Sequence, residues 1–291
     1  MLRGTMIETQ TSRIEIVPHD AALGASVSGV DLRDPLDDEA LALIRAALAE
    51  HQVLFFRNQD LSAEEHLAFG AQFGELCADP VASLKGSLKR ISYIEDTEER
   101  PPAEFPWHTD LSWLSEPPAF GILNARVIPD SGGDTIWVDL FSLYDALSPE
   151  VQQQVRGLKL RHRPKPHYFE TVRVHHGDEI TDRLIAENPP VEHPLVRSHP
   201  VSGRPALFLC PLYAEFITGL SAESSASLLA SLVDHLDNPA FQVRWQWQEH
   251  DLVIWDEAST VHRALGDHYP RYRRMQRCAV SGSRPYFRED S

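Results

Sequence analysis

The clearest binary pattern in the chain is the alternation of Phe241, Val243, Trp245 and Trp247 with Gln242, Arg244, Gln246 and Gln248. Successive strand side chains point to opposite faces, so this period of two predicts a strand with one apolar and one polar side. Ile14 and Ile16, then Ala25 and Val27, alternate similarly and predict short strands parted by the turn-rich segment 18–24. Val53-Leu-Phe-Phe56, Phe120 to Ala125, Thr135 to Val138, Pro205 to Cys210, Leu252 to Trp255 and Arg273 to Val280 read as further strands. Elsewhere the apolar positions recur at helical spacing. Asp37 to Glu50 carries Leu41, Ile44, Ala47 and Leu48, with acids at its front where the helix dipole favours them. Ser62-Ala-Glu-Glu65 has the form of a capping box opening a helix that ends near Gly74. Ser148-Pro149-Glu150 opens a short helix with Pro at its first position, and Ser221 to Leu236 places Leu228, Leu232 and Leu236 on adjoining turns.

Two segments show no steady period. Residues 77–106 are rich in Pro, Lys and acids and form a long excursion of the kind that serves as a lid. Residues 161–190 are dense in His, Arg and Pro and read as a second irregular loop facing the same site. Many short strands with a few peripheral helices predict a mainly β fold of the jelly-roll type. No Gly/Ser- or Pro-rich tract divides the chain, so a flexible segment 1–12 and a single domain 13–291 are expected.

Composition narrows the function. With 42% hydrophobic and 24% charged residues among 291, the chain is a globular protein able to bury a sizeable core. A formal charge of -16 excludes the counterion-releasing contact that nucleic acids require. Cys77, Cys210 and Cys278 are an odd set without paired spacing, so neither a disulfide framework nor a thiolate zinc site is indicated. No run has membrane-spanning length and the start lacks a signal-peptide core, which makes the cytoplasm the expected compartment.

The chemistry concentrates in Trp107-His108-Thr109-Asp110 and in Trp255-Asp-Glu-Ala-Ser-Thr-Val-His262. On a strand, His108 and Asp110 share a face, and a distant His262 completes the two-His-one-carboxylate set that holds Fe(II) and leaves positions open for a chelating cosubstrate and O₂. Zinc is chemically compatible with the same donors. One His-x-Asp among 14 histidines is weak evidence; the cluster Arg271, Arg273, Arg274 and Arg277 that follows His262 strengthens it. A guanidinium fork there can hold the distal carboxylate of a dicarboxylic acid such as 2-oxoglutarate. Arg271, Arg273 and Arg277 share one strand face and Arg274 takes the other. Trp107 and Trp255 are expected to wall the metal site, while Trp245 and Trp247 read as core aromatics.

Read together, Gly24 to Leu32, Phe73-Gly-Glu-Leu76, Trp107 to Asp110, Gly132-Gly-Asp-Thr135, His193 to Arg204, Phe241 to Trp245 and Trp255 to Arg277 make the chain resemble the taurine dioxygenase (TauD/TfdA) family of Fe(II)/2-oxoglutarate-dependent dioxygenases almost end to end. The resemblance implies a double-stranded β-helix core, Fe(II) on His108, Asp110 and His262, and the far carboxylate of 2-oxoglutarate on Thr135 and Arg273. It places Arg277 where family members meet an anionic group of the substrate. Taurine-specific members carry a His and a Tyr after the Phe-Gly-Glu-Leu motif and an Asn before the first iron His; here those positions hold Asp79, Ala82 and Glu104. Carboxylates there would repel a sulfonate, which disfavours taurine and makes Asp79 and Glu104 candidate substrate contacts. The expected reaction is hydroxylation of a small organic anion, a sulfonate, sulfate ester or aryloxy or carboxylic acid, with succinate and CO₂ as co-products. Alternatives are a biosynthetic hydroxylase or desaturase of an amino acid and, in another class, a non-catalytic 2-oxoglutarate sensor. A homo-oligomer, dimer or tetramer, is the expected assembly.

Overall fold

The computed structural model describes residues 13–86, 90–102 and 106–289. Along the chain the elements are β1 (Glu15–Pro18), β2 (Ala25–Ser28), α1 (Asp38–His51), β3 (Val53–Phe56), α2 (Ala63–Ala71), α3 (Pro80–Leu84), β4 (Ser92–Asp96), β5 (Phe120–Val127), β6 (Thr135–Asp139), α4 (Leu140–Asp145) and α5 (Pro149–Val155). They continue with β7 (Lys159–His162), α6 (Pro166–Glu187), β8 (Val191–Pro194), β9 (Val196–Ser198), β10 (Pro205–Leu207), β11 (Ala214–Thr218), α7 (Ala222–Asp234), β12 (Gln242–Trp245), β13 (Leu252–Asp256), β14 (Thr260–Ala264) and β15 (Arg273–Val280). The segment 1–12 and Glu104 lie outside the described residues.

The continuous apolar run of β3 is explained by burial on both faces. Val53 and Phe55 pack with Trp137, Val243, Trp245, Val253 and Trp255, whereas Leu54 and Phe56 turn the other way onto residues of α1 and α2. β13 repeats the division, with Val253 and Trp255 on one side and Leu252 and Ile254 on the other. These strands lie in a seven-stranded sheet of order β1-β2-β3-β13-β5-β15-β4. The sheet β12-β6-β14 supplies Trp137, Val243 and Trp245 to the first of those cores, so the two sheets face one another. Trp245 stacks on Phe55 with ring centroids 4.2 Å apart and carries the Arg57 guanidinium 3.8 Å from its own centroid. Ile136, Val138 and Val261, on the far side of the smaller sheet, share a core with β7, β9, β10, β11, α4 and α7. The result is the jelly-roll, double-stranded β-helix architecture that the strand pattern predicts.

Helix starts follow their local chemistry. Asp37 accepts from the Ala40 N–H at 2.8 Å, and Ser62 with Glu65 closes the capping box, at 3.1 Å from the Glu65 N–H to Ser62 and 2.7 Å from the Ser62 N–H to Glu65.

The two segments read as irregular hold more order than expected. Residues 161–190 contain α6, which breaks at Gly177 (φ 83). Phe169 and Val172 face inward before the break and Thr181 and Leu184 after it. The break shifts the phase, so neither half is long enough to show a period. Within 77–106, α3 starts at Pro80 and β4 joins the sheet beside β15. The two excursions meet: Val81 and Leu84 pack with Phe169, Val172, Leu184 and Trp113 in a small separate core. Among the described residues no helix is long and apolar enough to cross a membrane.

Away from His108 and His262, burial disfavours the charged form of three histidines. Burial lowers His66 to about 3 and His193 to about 4, and it holds His162 well below the ordinary 6.5. Between pH 6.5 and about 5 the unfolded chain binds protons at these positions and the folded chain does not, so stability falls as pH falls. Each contributes up to about 1.4 kcal/mol per pH unit in that window. Urea unfolding at pH 7, 6 and 5 is expected to show this decline; a midpoint flat across the window would show that these imidazoles titrate normally.

Candidate active site

His262 stands on β14 opposite Trp137 of β6, on the face turned toward the large sheet. His108 forms an isolated bridge with it, each backbone N–H donating to the other's carbonyl at 3.0 and 2.9 Å, which brings the ring centroids to 4.2 Å. The chain does not run on as a strand: Leu111 has φ 47. Asp110 nevertheless turns inward, with Oδ1 3.7 Å from His108 Nε2 and 3.9 Å from His262 Nε2. One ligand atom from each of the three lies within 4.8 Å of the others. His108 Nδ1 sits 3.0 Å from the Pro106 carbonyl. Donation there places the neutral ring's lone pair on Nε2, the nitrogen nearest Asp110.

Electrostatics match that geometry to a divalent cation. Burial pushes the Asp110 carboxyl up, but Arg277 and then the two histidines outweigh it and hold Asp110 below the usual carboxylate range. Burial, reinforced by His108, lowers His262 to about 3; burial also lowers His108 against the pull of Asp110. Two neutral nitrogens and one ionised oxygen are the donors that Fe(II) takes in a facial triad.

β15 carries the basic residues with alternating direction. Arg273 and Arg277 line the space between the sheets, while Arg274 pairs with Glu95 at 3.0 Å; Arg271, expected on the face of Arg273, instead precedes the strand, is exposed and donates to the Ser131 carbonyl at 2.9 Å. Arg277 was expected to face the substrate; in the structure Nε and Nη2 grip Asp110 Oδ2 at 3.1 and 2.5 Å, although the residue also lines the cavity. Arg273 is 3% exposed, its Nη1 stands 3.6 Å from Asp96, and its Nε has no hydrogen-bond partner among the described residues. A Cβ at Gly133 would lie 3.1 Å from Arg273 Cδ, so the glycine of the Gly132-Gly-Asp-Thr135 motif makes room for the guanidinium. Thr135 Oγ1 accepts from Trp247 Nε1 at 3.0 Å and keeps its own hydrogen to donate.

These groups surround a cavity of about 400 Å³ that Leu111, Tyr168, Leu212 and Tyr213 also line. Burial raises Tyr168 to about 12 and Tyr213 higher still, so both hydroxyls remain protonated. Asp79 also lines the cavity, but it is exposed and one oxygen caps α3 through the Ala82 N–H at 2.7 Å. Trp255 walls the site as expected: its indole fills the hollow at Gly121, where a Cβ would come within 2.2 Å of Cζ2. Trp107 does not. Its Nε1 donates to Asp237 at 3.0 Å and its ring packs under Arg263 in the outer core.

Sequence reasoning did not single out Tyr168, Tyr213 or Glu257. Glu257 is fully buried, accepts from the Asp110 backbone N–H at 3.1 Å and from Trp255 Nε1 at 2.8 Å, and is raised well above its ordinary range by burial and by Asp110. Its one signal in the chain is its position between Trp255 and His262.

A jelly roll with two neutral imidazoles, a carboxylate and a buried guanidinium around one interlayer cavity defines a class, the 2-oxoglutarate-dependent dioxygenases. The family model "Taurine catabolism dioxygenase TauD, TfdA family" matches residues 15–279. An alkylsulfatase of Acinetobacter baylyi is 30% identical over 282 residues, 96% of this chain and 88% of its own. An alpha-ketoglutarate-dependent 2,4-dichlorophenoxyacetate dioxygenase of Cupriavidus pinatubonensis is 32% identical over 267 residues, 84% of this chain and 90% of its own. The crystal structure of a taurine dioxygenase from Burkholderia xenovorans is similar with a TM-score of 0.80 and 33% identity, covering 96% of this chain and 94% of that one. The chain belongs to the TauD/TfdA family.

Proposed function

We propose that this dioxygenase oxidises an organic anion with an apolar alkyl or aryl body, of the sulfate ester, sulfonate or aryloxy acid class, using Fe(II) on His108, Asp110 and His262. The observation that carries the reading is the mixed lining of one cavity, in which Arg277, held against Asp110, shares the wall with the largely apolar side chains of Leu111, Tyr168, Leu212 and Tyr213. Arg273 and Thr135 hold the far carboxylate of 2-oxoglutarate. Arg277 fixes the second oxygen of Asp110 and adds positive charge where the substrate's anionic end lies. Asp79, which also lines the cavity, adds a negative charge that repels a second anionic group on the substrate. The buried indole of Trp255 gives the cavity an apolar wall that keeps water from that side. Fe(II), 2-oxoglutarate and O₂ together supply the oxidation that puts a hydroxyl on a substrate C–H and releases succinate and CO₂. A hydroxyl on the carbon bearing a sulfate-ester or aryl-ether oxygen gives an adduct that breaks to a carbonyl compound and free sulfate or phenol. Relatives whose names specify alkyl sulfates and 2,4-dichlorophenoxyacetate support this choice of substrate.

The test is anaerobic addition of Fe(II) and then 2-oxoglutarate to the metal-free protein, followed by alkyl sulfates, aryloxy acids, taurine and amino acids. A weak visible charge-transfer band is expected, perturbed by the first two classes, which also drive succinate formation in air. Fe(II) binding without the band overturns the cofactor assignment, and a response confined to amino acids overturns the substrate assignment.

A further inference from the structure

We infer that Glu257 is a positioning residue that aims Asp110 at the metal and ties it to the turn that delivers His262. The inference rests on the metal assignment proposed above. Asp110 follows a single bridge pair and precedes a residue of positive φ, so its backbone N–H is not held by a strand neighbour. Its acceptor is instead a side chain, Glu257 Oε2, at 3.1 Å.

Three other hydrogen bonds tie Glu257 to fixed parts of the fold. Oε1 accepts from Trp255 Nε1 at 2.8 Å, and that indole is immobilised against Gly121 of β5. The Glu257 N–H donates to the Ala119 carbonyl at 2.9 Å, and its carbonyl accepts from Arg197, itself buried against Phe208. A carboxyl group locked at both backbone ends, with its two oxygens on two different N–H donors, fixes the direction of both donors, which apolar packing does not. Since Glu257 lies in the connection between β13 and β14, the turn that brings His262 into the site also sets the height of Asp110. A leucine here would fill the space and leave both N–H groups unpaired.

Co(II) titration of Glu257→Ala and Glu257→Gln, with thermal unfolding of the metal-free proteins measured alongside, tests the assignment. Glu257→Ala is expected to bind Co(II) roughly 10- to 100-fold more weakly, the range for losing a partner behind a ligand, and to show altered d–d bands. Glu257→Gln falls between it and the wild type, because one carbonyl oxygen serves only one of the two N–H donors. Wild-type affinity and spectrum in both variants, with only the melting temperature lowered, would make Glu257 merely structural and overturn the inference. If the alanine variant fails to fold, the glutamine variant decides by the same criterion. A wild-type protein that binds no Co(II) instead defeats the metal assignment, and this inference with it.

Discussion

The His108→Ala protein is expected to lose Fe(II) binding and succinate formation together while remaining folded. The imidazole sits in an isolated bridge whose backbone bonds survive the substitution, so the fold has little reason to fail. What disappears is one of three donors, together with the Pro106 contact that fixes its tautomer. Removing a partner behind a ligand already costs roughly 10- to 100-fold in metal affinity, so removing a ligand costs more. Equilibrium dialysis against Fe(II) under argon, with circular dichroism as the control for folding, measures this. Retention of stoichiometric Fe(II) and turnover would place the metal elsewhere.

Arg273→Ala is expected to act on the cosubstrate and spare the metal. The side chain is buried, its Nε has no hydrogen-bond partner among the described residues and its Nη1 stands 3.6 Å from Asp96, so the guanidinium has donors to give a ligand. Truncating one member of a buried, hydrogen-bonded charge pair costs roughly 2–5 kcal/mol, about 30-fold or more in the KM for 2-oxoglutarate. Fe(II) affinity stays near wild type because Arg273 does not touch the triad. Arg273→Lys recovers only part of the loss, since an ammonium is a point charge and cannot fork. An unchanged dependence on 2-oxoglutarate would remove Arg273 from the site.

What was legible in the chain follows from how local each signal is. The strands of the two-sheet core declare themselves because both phases of the alternation are apolar in β3 and β13, and the helices that cover them announce their starts through Asp37 and Ser62. His108, Asp110, His262, Thr135 and Arg273, which line one cavity, could be singled out because each lies in a motif of fixed spacing. α6 was hidden because Gly177 splits it into two halves of different phase. The role of Arg277 was half hidden: its direction follows from strand alternation, but its grip on Asp110 joins residues far apart in sequence. Trp107 shows the same limit in reverse, since adjacency to His108 says nothing about which side of the layer an indole packs on.

Thr135, His262, Arg273 and Arg277 all stand on paired strands, whereas Asp79, Tyr168 and Tyr213 lie on the segments outside them. A slip of one residue in β15 would turn both arginines out of the cavity, so the half of the cavity that carries the proposed iron and 2-oxoglutarate residues is fixed by pairing register. The outer wall is held by side-chain packing in its own small core and not by strand register. Because α3 and α6 share a core, they must be exchanged as a matched pair. The molecule therefore behaves as a fixed engine with a replaceable mouthpiece: transplanting those two helices together from a relative should transfer the choice of molecule to be oxidised and leave the demand for 2-oxoglutarate intact.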